Sequence, residues 1–296
     1  MLLDQLKALH AVVKYGGFER ATESLRLSQP AISIRIKELE KHLGVELFNR
    51  LGRRVRLTDA GRVVEEYTNR LMIVLSEMNQ AIDELKGLQR GQLRCGALTT
   101  IAIHLLPKAL VQFKKRFPGI EVKLLVGSTA ESERKILADE LDIGLVAGTI
   151  KNPGNFKIFH YLTDEFVLIT PIDHPLAKFH RVSLKQIVNF PLILREKGSL
   201  PRSTIDEGFR AAGIPYRCTM EIATSEALKR AVAEGLGCSI VSLYSIQMER
   251  KAGALAHVRI SGAPIKRELR AIIHKDKSIL GPIRPFLKLL RIKTNS

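Results

Sequence analysis

The chain lacks the marks of a membrane protein, of a secreted disulfide scaffold and of an enzyme. No apolar run in its 296 residues approaches the roughly 18 needed to cross a bilayer. The beginning of the chain places Asp4 and Lys7 inside its apolar stretch and has no small-residue cleavage site. It therefore reads as a domain helix, not a signal peptide. Cysteine is scarce: Cys95, Cys218 and Cys238 are odd in number, far apart and set in apolar surroundings. That pattern argues against a disulfide framework and against zinc, and suits a reducing compartment, with buried free thiols as the plain reading and a redox-sensing pair as the rival one. No glycine-rich phosphate loop ending GK[ST], no HExxH and no GxSxG occurs, and Gly235 and Gly237 lack the third glycine of a dinucleotide fingerprint. The eight histidines have no ligand spacing. The expectation is a cytoplasmic protein that is not an enzyme and needs neither cofactor nor metal.

What the chain has in excess is positive charge, +17 overall. Residues 1–60 carry +4, residues 61–90 carry −1 and residues 91–296 carry +14. A basic surface this diffuse favours attraction to DNA and biases the large C-terminal part toward a small anionic ligand. The length is too great for one small helical domain and sufficient for further units with cores of their own.

Residues 28–56, SQPAISIRIKELEKHLGVELFNRLGRRVR, are the most informative stretch. Ser28 is a good N-cap, and Pro30 fits the first helical turn, where its missing N–H costs nothing. Ile32, Ile36, Leu39 and Leu43 follow at helical spacing and predict an inward apolar face. Gln29, Ser33 and Arg35 lie on the opposite face near the helix start, with Lys37 further along, and have the chemistry to bond base edges or phosphates. Gly44 ends the helix. Upstream, Leu3, Leu6, Leu9 and Val13 mark a first helix that stops at Gly16 and Gly17, and residues 19–25 a second. The order is that of a helix-turn-helix over about residues 18–37. Downstream, alternation around residues 49–54 predicts a small hairpin, or wing, with Arg50, Arg53 and Arg54 at its tip.

PAISIRIKELEKHLGVELFNR followed by GRRVRLTDAG closely resembles the winged helix-turn-helix of LysR-type transcriptional regulators, and weaker markers continue through essentially all 296 residues. The resemblance implies that Gln29, Pro30 and Ser33 face DNA, with Arg53 and Arg54 on the wing. The family often has a basic or polar residue after that serine; here it is Ile34.

A long helix is expected next, capped by Thr58, with Asp59 in its first turn. Val64, Tyr67, Leu71, Val74, Met78, Ala81, Leu85 and Leu88 keep a strict three-four alternation, the seam of a coiled coil. Such a rod, about 45 Å long at ~1.5 Å per residue, predicts a homodimer that sets two recognition helices on successive half-sites. Gly87 and Gly91 mark the exit from it.

After Gly91 the periodicity changes to alternating strands and helices: strands near 92–97, 120–126 and 143–147, with helices near 103–117 and 131–138. A second unit holds strands at 166–170, 192–194, 218–222 and 238–241, with helices starting near Ser183 and over 203–212 and 225–234. A strand at 269–274 and a helix at 283–290 return to the first unit. The pattern predicts mostly parallel sheets covered by helices. The expected organisation is a winged helix-turn-helix domain (1–58), a linker helix (59–90) and a two-lobed α/β effector domain (91–296). Lobe I is 91–163 with 267–296, and lobe II is 164–266. By resemblance this last part is like a periplasmic binding protein.

A ligand of such a domain lies beyond strand ends, at helix N-termini. Four corners carry suitable groups: Thr99 and Thr100; Ser128 and Thr129; Lys197, Ser199 and Arg202; Thr224 and Ser225. LysR-type proteins hold effectors at these positions. The run from Leu194 to Ser199, LREKGS, is similar to one in the branches that regulate sulfur assimilation and carbon fixation, where it continues Gly-Thr-Arg; here Leu200, Pro201 and Arg202 follow. The expected function is a ligand-responsive, sequence-specific DNA-binding transcriptional regulator without a catalytic residue. A small anionic metabolite between the lobes would alter the geometry of a homotetramer at the promoter, with RNA polymerase a possible further partner. The alternative is a solute-binding module or α/β enzyme fused to a DNA-anchoring domain.

Overall fold

Helix α1 (Leu2–Tyr15) opens the computed structural model, which describes residues 2–49, 56–85 and 88–294. It packs against α2 (Phe18–Leu25) and α3 (Gln29–Leu43) around Ala8, Leu9, Val12, Ile32, Ile36 and Leu39. Leu43 departs from the expected inward face: it is exposed in the last turn, past the reach of α1 and α2. A two-strand hairpin follows, β1 (Phe48–Asn49) with β2 (Arg56–Leu57), antiparallel. The wing tip expected to hold Arg50, Arg53 and Arg54 lies outside the described residues.

Linker helix α4 (Asp59–Leu85) is capped as its sequence requires, the Gly61 N–H donating to Thr58 Oγ1 at 2.9 Å. Gly61 lets the helix start against the hairpin; a Cβ there would stand 2.1 Å from the Leu47 carbonyl oxygen. One side of α4 leans on the C-terminal domain. Ile73 and Thr68 are buried, and Asn69 Nδ2 donates to the Leu137 carbonyl at 3.3 Å. Glu77 accepts from the Ser278 N–H, and Arg70 stands 3.6 Å from Asp276.

The C-terminal domain begins with β3 (Gly91–Ala97), α5 (Thr99–His104), α6 (Leu106–Arg116), β4 (Ile120–Val126), α7 (Thr129–Leu137) and β5 (Ile143–Ala147). The single helix expected over residues 103–117 is two. Pro107, in the first turn of α6, has no N–H to continue the ladder from α5, so the chain turns at Leu105. Strand β6 (Phe156–Thr170) is three times the expected length. Its first half is bonded along one edge only, which allows Lys157, His160 and Glu165 among its apolar residues and hides the strand pattern.

Lobe II continues with β7 (Arg181–Ser183), α8 (Leu184–Ile187), β8 (Leu192–Arg195), α9 (Leu200–Ala211), β9 (Cys218–Ile222), α10 (Ser225–Ala233), β10 (Ser239–Ser242), α11 (Gln247–Ala252) and β11 (Ala256–Ser261). Then β12 (Lys266–His274) and α12 (Ile283–Leu289) return to lobe I. In lobe I the order is β4-β3-β5-β12-β6, with β3 parallel to its neighbours and β12 antiparallel to both of its own. The second half of β6 leaves β12 and pairs antiparallel with β10 and β11. The sheets are thus mixed, not mostly parallel, because β12 runs against the rest in lobe I and β6 runs against its neighbours in lobe II.

Each lobe has its own core. Leu93, Leu106, Phe113, Leu145 and Phe286 centre lobe I; Phe166, Leu168, Ile205, Phe209 and Val258 centre lobe II. Cys95 and Cys238 are buried in these cores, and burial pushes their thiols up to about 12 and about 11, far from thiolate reactivity. Among the described residues no helix is long and apolar enough to cross a membrane.

Candidate functional site

Two surfaces carry chemistry. The first is the start of α3. Ser28 sits in extended backbone and accepts from the Ala31 N–H at 3.4 Å, so the helix begins where its sequence signals. Gln29 and Pro30 are exposed, Ser33 and Arg35 half-exposed, and Ile34, at 56 % exposure, stands out from the same face. Ile32, Ile36 and Leu39 fix this face by packing beneath it. A polar, solvent-facing helix start with an apolar underside suits entry into a major groove.

The second surface is a cavity of about 480 Å³ between the lobes. Lobe I supplies Thr99, Thr100, Ser128, Thr129 and Thr149; lobe II supplies Arg195, Ser199, Ser203 and Ser225; Arg267 comes from β12. Three helices of useful length, α7, α9 and α10, begin at this space, so their unpaired first-turn N–H groups and dipoles favour negative charge. Two guanidinium groups line it, each also bonded to an acid behind the wall, Arg195 to Glu196 and Arg267 to Asp164, and no carboxylate is among the described lining residues. Gly148, with φ +79°, brings the end of β5 within reach of Leu200 of lobe II; a Cβ there would meet Leu200 Cδ1 at 2.8 Å.

The hydroxyls divide by where their protons go. Ser199 Oγ donates to the Glu196 carbonyl at 2.8 Å while accepting from the Arg202 N–H, Thr129 donates to the Ala147 carbonyl at 2.7 Å, and Ser203 donates to the Ser199 carbonyl at 3.2 Å. These three are spent on their own backbone. Ser128 accepts from the Glu131 N–H, Ser225 accepts from Arg195 Nη1 at 3.0 Å, and Thr100 accepts from Arg267 Nη2 at 3.1 Å. Each of these keeps a proton to give to a ligand.

Of the nine residues expected at the corners, Thr99, Thr100, Ser128, Thr129, Ser199 and Ser225 meet at this cavity and Lys197, Arg202 and Thr224 do not. Thr224 is the α10 N-cap, accepting from the Ala227 N–H. Arg202 is buried and committed to Asp206, Tyr216, Glu221 and the Arg195 carbonyl, so its charge is already matched. It faces a neighbouring depression together with Lys197. The sequence reading missed Thr149, although it follows a strand end like the corners chosen. It also missed Arg267, which only the pairing of β12 with a strand about a hundred residues earlier brings to the cleft.

On α4, Tyr67, Leu71, Val74 and Met78 are exposed in one row, joined by Val63 and Ile82. Val64 is half-buried against the helix-turn-helix core, and the side chain of Leu85 lies outside the described residues.

Residues 3–62 match the bacterial regulatory helix-turn-helix protein model of the lysR family, and residues 86–294 match the LysR substrate binding domain. The chain belongs to the LysR family. Among its relatives, the HTH-type transcriptional activator CmpR of Synechocystis is 35 % identical over 97 % of this chain and 94 % of its own. The RuBisCO operon transcriptional regulator of Allochromatium vinosum is 32 % identical over 96 % and 95 %. A full-length OxyR from Pseudomonas aeruginosa has the same fold, with a TM-score of 0.76 at 22 % identity over 98 % of this chain and 93 % of that one. The regulatory domain of Synechocystis CcmR, solved with 2-PG, gives 0.61 at 28 % identity over 68 % and 96 %. This LysR-family chain is therefore a ligand-responsive transcriptional regulator, not an enzyme, and regulators of the carbon-fixation branch are among the proteins it resembles.

Proposed function

We propose that this LysR regulator reads a small anionic metabolite in the interlobe cleft and passes the result to promoter DNA through the α3 face. One observation carries the ligand class: three helix N-termini and two guanidinium groups face a cavity with no carboxylate among its described lining residues. The 2-PG bound by the CcmR regulatory domain makes 2-PG the first candidate. Gln29, Pro30, Ser33 and Arg35 contact bases and phosphates, with Arg50, Arg53 and Arg54 on the backbone beside them. Burying the exposed α4 row against a second copy forms a dimer, and dimers pair into a tetramer whose packing changes as the lobes close. The protein works in the cytoplasm, where RNA polymerase is a further partner. The domain boundaries this implies are residues 1–58, 59–90 and 91–296.

The ligand shifts the equilibrium only by its differential affinity for the two lobe arrangements. Titrating 2-PG into the full-length protein is expected to raise its melting temperature saturably and to change the mobility of its operator complex. A melting temperature and a mobility that stay flat across 2-PG and a panel of other small carboxylates and phosphates would overturn this reading.

A further inference from the structure

The floor of the cleft is a charge pair built into the hinge. Arg267 and Asp164 are direct cross-strand partners on β12 and β6, where β6 passes from one lobe to the other. Asp164 is fully buried and Arg267 is 7 % exposed. Nε and Nη2 of Arg267 stand 2.9 and 2.8 Å from Asp164 Oδ2, and Nη2 also donates to Thr100 Oγ1. Ser242, the last residue of β10, donates to the other carboxylate oxygen at 2.7 Å. The guanidinium makes its own bonds through Nε and Nη2. Nη1 has no partner among the described residues, and Arg267 lines the cavity. A cation more than nine-tenths buried thus keeps two N–H donors for the cleft, beside a threonine whose proton is also free.

We propose that Arg267 and Thr100 form the docking point for one oxyanion end of the cleft ligand, a carboxylate or phosphate oxygen, and that Asp164 sets how strongly they hold it. This rests on the cleft being the effector site. The guanidinium fork allows both partners at once, its Nε–Nη2 edge on Asp164 and its Nη1 side on the ligand. The two negative groups then compete for a single buried charge, in surroundings where such interactions are strong. Burial already opposes both charged forms, pushing the Asp164 carboxyl up and the Arg267 guanidinium down. A second anion on Arg267 draws charge from Asp164, and Asp164 is tied to lobe II through Ser242. Ligand occupancy is in this way registered on the two strands that join the lobes.

The test is calorimetric titration of the full-length protein with 2-PG and, separately, with inorganic phosphate. Arg267→Gln is expected to weaken binding about tenfold or more, the scale of a lost hydrogen bond to a charged group. Thr100→Val is expected to weaken it to a smaller extent. Asp164→Asn is the decisive variant: removing the competing carboxylate is expected to tighten binding several-fold, whereas a purely structural ion pair predicts weakening. The double variant Asp164→Asn/Arg267→Gln keeps an uncharged cross-strand pair; loss of binding there with near-parent melting assigns the effect to charge and not to unfolding. Ser128→Ala and Ser225→Ala report on the other walls. If those two weaken binding while Arg267→Gln and Thr100→Val do not, the cleft reading stands and this docking point is overturned. If Asp164→Asn weakens binding, Asp164 does not compete and the proposal is overturned. If the parent binds neither probe, or no variant changes affinity, the cleft reading falls and takes this with it.

Discussion

At the scale of single residues, what a side chain can do follows from the bonds it has already made. Ser199 and Ser225 are both serines at helix starts in the cleft, yet only Ser225 has a proton to spare. Ser199→Ala is therefore expected to remove a cap and cost about 0.5–2 kcal/mol of stability while sparing ligand affinity. Ser225→Ala is expected to do the reverse. Urea melts and ligand titrations of the two variants check this, and equal ligand losses in both would contradict the proton assignment. On α3 the same logic separates sequence reading from anchoring. Ser33→Ala or Arg35→Ala is expected to cost about 1–3 kcal/mol on the operator and little on unrelated DNA, measured by competition binding. Unchanged operator affinity in both variants would remove these residues from base contact. The polar face of α3 was legible in the sequence because cap, proline and apolar spacing all lie within fifteen neighbouring residues. Arg267 was not, since its meaning comes from Asp164 across a strand pairing that no local pattern announces.

Among the elements, the linker helix is the clearest case of a face without an intramolecular partner. Tyr67, Val74 and Met78 are 64 %, 61 % and 53 % exposed along α4, while Ile73 on another side is buried against the chain itself. The heptad spacing had shown the exposed row; it gave no sign of the second contact, because Asn69 and Arg70 reach lobe I through polar bonds that carry no periodicity. Leu71→Glu is expected to place a carboxylate in the proposed dimer seam, where burial without a partner is costly. Sedimentation should then show loss of the dimer, with operator binding falling as the two half-sites lose their linkage. A variant that sediments at the parent mass would exclude this row as the interface. Strand β6 and the α5–α6 pair show the opposite limit. Both depart from local pattern, one because an edge strand tolerates charge, the other because a proline breaks an otherwise continuous apolar spacing.

For the whole molecule, the same loop that closes the lobe I core also holds the linker. Lys277 is only 1 % exposed, and its ammonium bonds Asp142 at 2.7 Å and Asp139 at 3.1 Å, with Arg94 on both acids. Its neighbours Asp276 and Ser278 are the residues that meet Arg70 and Glu77 of α4. Burial alone would raise the Asp142 carboxyl, but Lys277 and Arg94 outweigh it and hold the group below the usual carboxylate range. An acid whose folded value lies below its unfolded one stabilises the fold above the unfolded value, near pH 4, and that stability is lost as pH falls through the folded value. Asp142→Asn removes this dependence and leaves buried Lys277 and half-buried Arg94 with Asp139 as their remaining acid. It is expected to cost about 3–5 kcal/mol at pH 7, the range for breaking a buried pair from one side. At pH 3, below the unfolded value, part of the parent's advantage is already gone and the difference between the two proteins should shrink. Urea midpoints at both values measure it. Because the Lys277 loop also supports α4, hydrogen exchange along residues 69–77 should rise in the variant at pH 7. A destabilised variant with unchanged exchange there would mean that the core and the linker are held independently.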